Sequence, residues 1–107
     1  MTAIRVQHTA ARQIDDIYLY TRNRWGEAQA RRYIGGLFAA FDDIARNPRR
    51  SRPVPAQIGV SGFVVRYEKH FIYWKTLDNG DLGIVTILHE RMHHVGRLKD
   101  AFDQIQP

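Results

Sequence analysis

The chain has 107 residues, 44% of them hydrophobic and 25% charged, which is enough for one domain whose core needs neither disulfide nor structural metal. It has no cysteine, no stretch near the roughly 20 apolar residues of a membrane span and no apolar run over residues 1–11; disulfide and thiolate chemistry are excluded, and no signal peptide or span is expected. The net charge is +5 with a pI of about 10.0, and thirteen of the sixteen basic residues are arginines, so beside a merely solubilising surface the composition suits an acidic protein partner or a phosphate backbone.

Residues 4–8 alternate Ile4 and Val6 against Arg5 and Gln7, which predicts a short strand, and Thr9 is placed to cap the next element. Ile14, Ile17, Tyr18, Thr21 and Trp25 recur at helical spacing, and Gly26 ends that helix. A second helix carries Ala30, Tyr33, Ile34, Leu37, Phe38, Phe41, Ile44 and Ala45 on one face until Pro48 stops it. Trp25, Tyr33, Phe38 and Phe41 are expected in the core. Gly35 and Gly36 weaken the helix by up to about 1 kcal/mol each, a loss that close packing against the first helix would offset. The short connection predicts an antiparallel helical hairpin.

Residues 46–55, rich in arginine and proline, read as an extended loop. Residues 63–67 and 71–77 are expected strands separated by Glu68, Lys69 and His70. Asp78-Asn79-Gly80 predicts a hairpin turn with Asn-Gly at positive φ, and the apolar run 82–88 a central strand. Leu98, Phe102 and Ile105 suit a short C-terminal helix or a tail that packs down. The expected class is α+β, in the order β-α-α-β-β-β over residues 1–107 as a single domain. A helical hairpin covers one face of a mostly antiparallel sheet, leaving the other face and the edges to a partner.

His89, Glu90 and His93 spell H-E-x-x-H, the pattern of a zinc protease. On a helix both imidazoles would share a face. On a strand they would lie about 13 Å apart, too far for one zinc, whose nitrogen ligands sit at about 2.0 Å. The position where a third histidine would stand is Lys99, no glutamate comes after Glu90 and no methionine after Met92. No metal site and no cofactor is therefore expected.

The same residues carry a different likeness. Tyr18-Leu19-Tyr20 before Arg24-Trp25-Gly26, Arg46-Asn47-Pro48-Arg49 with Arg52-Pro53, the run from Arg66 to Trp74, and Ile87-Leu88-His89-Glu90-Arg91-Met92 with Arg97-Leu98 after it occur in order over nearly the whole chain. Together they resemble the RelE/ParE toxin superfamily, and within it the ParE branch. An aspartate is common there after the methionine, and His93 in its place completes H-E-x-x-H. The resemblance implies a RelE-like fold and a cytoplasmic bacterial toxin of a type II toxin–antitoxin module. Such a toxin inhibits growth and serves plasmid maintenance by blocking DNA gyrase through binding rather than catalysis. The implied partners are gyrase and a cognate ParD-like antitoxin, with which the toxin could form a hetero-oligomer; no membrane is implied.

The sister RelE branch cleaves ribosome-bound messenger RNA, which needs an acid, a base and cations for the phosphorane charge. His89 and His93 with Arg66 and Arg91 are the candidates for that alternative. The tyrosine usual near the C-terminus of that branch is missing, as the last tyrosine is Tyr73. An inert toxin homologue is a further alternative. For binding of target or antitoxin the candidates are Arg46, Arg49, Arg50, Arg52, Tyr73, Trp74, His89, Arg91 and Arg97, with Tyr73 or Trp74 lining a groove on the open sheet face and Arg97 otherwise paired with Asp100.

Overall fold

Strand β1, Ile4–Val6, passes directly into helix α1, His8–Trp25, in the computed structural model, which describes residues 3–105. The helix starts earlier than its expected cap. Gln7 donates its backbone N–H to the Ile84 carbonyl at 2.9 Å and accepts from Ala11 at 2.8 Å, so it is the hinge between sheet and helix and Thr9 lies inside the first turn. Gly26, at φ 96, then joins α1 to helix α2, Glu27–Arg46, and its N–H closes on the Arg22 carbonyl. This positive φ is open to glycine at little cost, which is why the chain reverses here. The two helices pack along one another as the expected hairpin.

After α2 the expected open loop has structure of its own. A 3₁₀ turn, Pro48–Arg50, leads into the two-residue strand β2, Arg52–Pro53, and a second 3₁₀ turn covers Ala56–Ile58. Strands β3, Phe63–Tyr67, and β4, His70–Thr76, come next, joined by only Glu68 and Lys69, with Glu68 at φ 52; His70 is thus the first residue of β4 and not part of the turn. Strand β5 is Leu82–His89. In the turn before it, Gly80 (φ 91) donates to the Leu77 carbonyl and Asn79 stays at negative φ. The arrangement is a three-residue loop with glycine in the left-handed position, not the expected two-residue turn. Helix α3, His94–Asp103, closes the described chain, with Leu98 fully buried and Ile105 half-buried beyond its end.

The sheet order is β1-β5-β4-β3-β2, antiparallel except where β1 runs parallel to β5. In β5, Tyr73 pairs with Thr86 and Trp74 with Ile84, so Val85 is an extra residue, a bulge that reverses the side-chain alternation. For that reason Leu82, Ile84 and Ile87 all reach the same core although their parities differ. Gln13 of α1 serves the region beside the bulge. Its Oε1 accepts the Ile87 N–H at 2.7 Å and the Thr86 hydroxyl at 3.1 Å, where β1 has already left the sheet. One core lies between sheet and hairpin, built on Ile14, Leu37, Phe41, Ile44, Ile72, Trp74 and Ile84.

Four expectations about packing are corrected. The face of the sheet away from the hairpin is covered: α3 and the Ala56–Ile58 segment bury Val54, Tyr73, Leu88 and Leu98 there. Trp25 is 65% exposed, because it ends α1 and points past the core with the Arg24 guanidinium over its ring at 5.3 Å. Phe38 is 45% exposed and meets Phe41 edge-on from the side of α2. Nor do the paired glycines of α2 serve contact with α1. A Cβ on Gly36 would collide with the Tyr67 hydroxyl of β3, and one on Gly35 would meet nothing within 4 Å.

Candidate functional site

The β3–β4 turn brings Arg66, Tyr67 and His70 to one end of the sheet, and the pairing of His70 with His89 sets the end of β5 beside them. The two imidazoles stand edge to face with centroids 5.2 Å apart. Tyr33 of α2 reaches in from the hairpin, its hydroxyl 2.6 Å from His70 Nδ1, and its carbonyl accepts the Tyr67 hydroxyl at 2.9 Å. Burial pushes the Tyr33 phenol up to about 12, and burial together with the neighbouring His89 holds the His70 imidazole down at about 4. Near neutral pH this is therefore a pair of uncharged groups joined by a short hydrogen bond.

Just outside the pair lie the charges. Arg66 Nη2 contacts Glu90 Oε2 at 2.6 Å, Arg66 Nε donates to the Glu68 carbonyl, and the guanidinium lies over the Phe71 ring. The Glu90 N–H continues the strand pairing onto the Lys69 carbonyl. His89 Nδ1 accepts the Arg91 N–H at 3.2 Å, which in the neutral ring leaves the proton on Nε2. Residues 90–92 form a turn, and His93 precedes the first residue of α3. H-E-x-x-H is thus split between a strand end and a helix start, and its imidazoles do not share a helical face. Among the described residues no three histidine, aspartate or glutamate side chains gather closely enough to hold a metal.

His94, which sequence reasoning passed over, ties α3 to the sheet. Its Nε2 donates to the His89 carbonyl at 2.9 Å, so its Nδ1 is the acceptor for the Tyr73 hydroxyl at 2.6 Å. Tyr73, 7% exposed, and Trp74, 4% exposed, are accordingly interior groups and not the lining of an open groove. Trp74 stacks on Phe63 and donates its indole N–H to Ser51 Oγ at 2.8 Å, which fixes the arginine-rich segment to the sheet. Arg49, Arg50 and Arg52 are exposed there and make no ion pair among the described residues, while Arg46 approaches Asp43 at 3.5 Å. Arg91 and Arg97 are exposed too, and the expected Arg97–Asp100 pair does not form. The candidates thus divide into groups: His89 and Arg91 at and just beyond the end of β5 with Arg66 on β3 at the same end of the sheet, His93 just before α3 and Arg97 within it, and the arginine segment beyond β3, beside the Trp74 end of β4.

Residues 4–94 match the family model described as the ParE toxin of the type II toxin–antitoxin system, parDE. The chain belongs to the ParE toxin family. Toxin ParE of Escherichia coli is 31% identical over 94% of this chain and 96% of its own length, and Toxin ParE1 of Mycobacterium tuberculosis is 30% identical over 78% and 84%. A solved structure of a chromosomal ParDE TA system from P. aeruginosa has the same fold, with a TM-score of 0.66 over 83% of this chain and 96% of that one at 14% identity. In this ParE-family toxin the groups that sequence reasoning missed are Tyr33, Tyr67, His70 and His94. The signal for His70 was present: a two-residue turn at Glu68-Lys69 places it opposite His89, whereas a three-residue turn leaves it outside the sheet.

Proposed function

We propose that this chain is one toxin domain that blocks DNA gyrase by binding, in the cytoplasm, and that a ParD-like antitoxin neutralises it. The observation that carries the reading is membership of the ParE toxin family along nearly the whole chain. The surface is compatible with it. A net charge of +5, concentrated in arginines, favours association with an acidic segment through complementary fields. Of the residues expected to bind, Arg46, Arg49, Arg50, Arg52, Arg91 and Arg97 are exposed and His89 is half-buried. They are the candidates for contact with gyrase or antitoxin.

Messenger RNA cleavage is the second reading, favoured by His89 and Arg66 lying at the same end of the sheet, although they stand in adjacent rows and leave on opposite faces, His89 beside His70 and Arg66 over Phe71. Against it, the Arg66 guanidinium is matched by Glu90 at 2.6 Å, so the cation that would face a phosphorane is already neutralised. A gyrase supercoiling and cleavage assay separates the two. The expected result is loss of supercoiling with accumulation of cleaved plasmid, relieved by the antitoxin. Normal supercoiling at micromolar toxin, with ribosome-dependent message cleavage that disappears in His89→Ala or Arg91→Ala, would establish the nuclease instead.

A further inference from the structure

Between Asp43 and Glu68 the chain carries Arg46, Arg49, Arg50, Arg52 and Arg66 and no aspartate or glutamate. Arg49, Arg50 and Arg52 occur within four residues, all exposed and none in an ion pair among the described residues. Like charges this close repel one another, and nothing in the fold requires them: the C-terminus of α2 is already served by Arg46, and these three lie beyond it.

The segment is nevertheless held firmly. Pro48 opens the 3₁₀ turn, and Arg50 and Ser51 donate N–H groups to the Asn47 and Pro48 carbonyls at 3.1 Å. Ser51 Oγ takes the Trp74 indole proton, Arg52 pairs with Val64 in the sheet, and the Val54 N–H reaches the Gly62 carbonyl at 2.9 Å. The backbone under the arginines is thus fixed before any partner arrives, which lowers the ordering cost of binding.

Two chemistries would meet such a surface, an acidic peptide and a nucleic-acid backbone. A peptide interface is anchored by buried aromatic or aliphatic side chains, with charge at the rim. Among the described residues the exposed large hydrophobic groups are Leu19, Tyr20, Trp25, Phe38, Met92 and Val95, and none is in this segment. Phosphate contacts need no apolar anchor, and the planar fork of arginine matches phosphate oxygens. We propose that Arg49, Arg50 and Arg52 form a binding site for the phosphate backbone of duplex DNA, used irrespective of sequence.

The test is fluorescence anisotropy of the whole chain with a short labelled duplex of arbitrary sequence, over a series of salt concentrations. It contains no gyrase, so its outcome is independent of whether the chain poisons that enzyme. Three phosphate contacts predict a slope of log K against log salt near about −2.7, from about 0.9 per phosphate. Converting Arg49, Arg50 and Arg52 to glutamate should weaken binding at low salt by about tenfold or more and flatten the slope. The equal charge change at Arg12, Arg24 and Arg32 should leave the slope in place, and glutamine at the three loop positions should give an intermediate loss with an unchanged circular-dichroism melt. Absence of wild-type binding at low salt overturns the site. So does an equal loss in both charge-reversed variants, which would reduce the effect to net charge. A loop variant that keeps DNA but loses an acidic peptide overturns it in favour of a protein partner.

Discussion

His70 shows how one half-buried group makes the protein sensitive to acid. Tyr33 faces it from α2, His89 from the end of β5 and Glu90 from the turn that follows. Burial and His89 hold its imidazole at about 4, with Glu90 pulling weakly the other way, while in the unfolded chain it returns to about 6.5. Between those values the unfolded chain binds a proton that the folded one does not, so stability rises with pH there. The melting temperature should therefore fall as pH drops from about 6.5 to about 4. His70→Gln should flatten that part of the profile. The carboxylates of Glu27 and Asp81 act lower down. Tyr18 and Arg31 stabilise the first and Arg5 the second, so their contribution is lost only as pH falls below the ordinary carboxylate range. A His70→Gln profile as steep as wild type above the carboxylate range would mean that the imidazole is not the group responsible.

At the scale of single elements, α2 owes its docking to the absence of one side chain. Tyr67 lies over Gly36 and meets Tyr33 edge to face, centroids 5.1 Å apart. Gly36→Ala would push the phenol aside and break its hydrogen bond to the Tyr33 carbonyl, a cost of about 1–3 kcal/mol that outweighs the gain in helix propensity. Gly35→Ala meets nothing and should stabilise by up to about 1 kcal/mol. Urea denaturation of the two variants should move in opposite directions, and parallel shifts would show that propensity alone decides. This is also where sequence reading reached its limit. The 3.6-residue period of α2 and the apolar run of β5 were plain, because each reports burial of one side or of both. Which neighbour a glycine admits, Tyr67 from a strand 31 positions away, left no trace in any local pattern.

Across the whole molecule the sheet is the middle of three layers, and the third was the hardest to foresee. Leu98, Phe102 and Ile105 signalled a segment that packs, but only the turn over residues 90–92 and the His94 bonds decide that it crosses to the face opposite the hairpin. Tyr73 thereby passes from expected binding surface to interior, and the candidate site contracts to its exposed arginines and the His89 corner. Leu98 is the buried anchor of that layer, against Val54, Tyr73 and Leu88. Leu98→Ala should cost about 2–5 kcal/mol by denaturant titration. A loss below about 1 kcal/mol would mean that α3 is only loosely held.

β1 pairs Ile4 with Leu82 and Val6 with Ile84, so the first strand of the sheet finds its partner only in the last. On a ribosome adding about 5–20 residues per second, β1 waits roughly 4–16 s for that partner to be made. The hairpin helices can form in the meantime, but they have no central strand to cover. A nascent chain halted before β5 is therefore a pair of helices and an unfinished meander. Any surface that needs the completed sheet, the His70–His89 corner included, therefore comes into being only once Leu82–His89 has been made, however early the helices form.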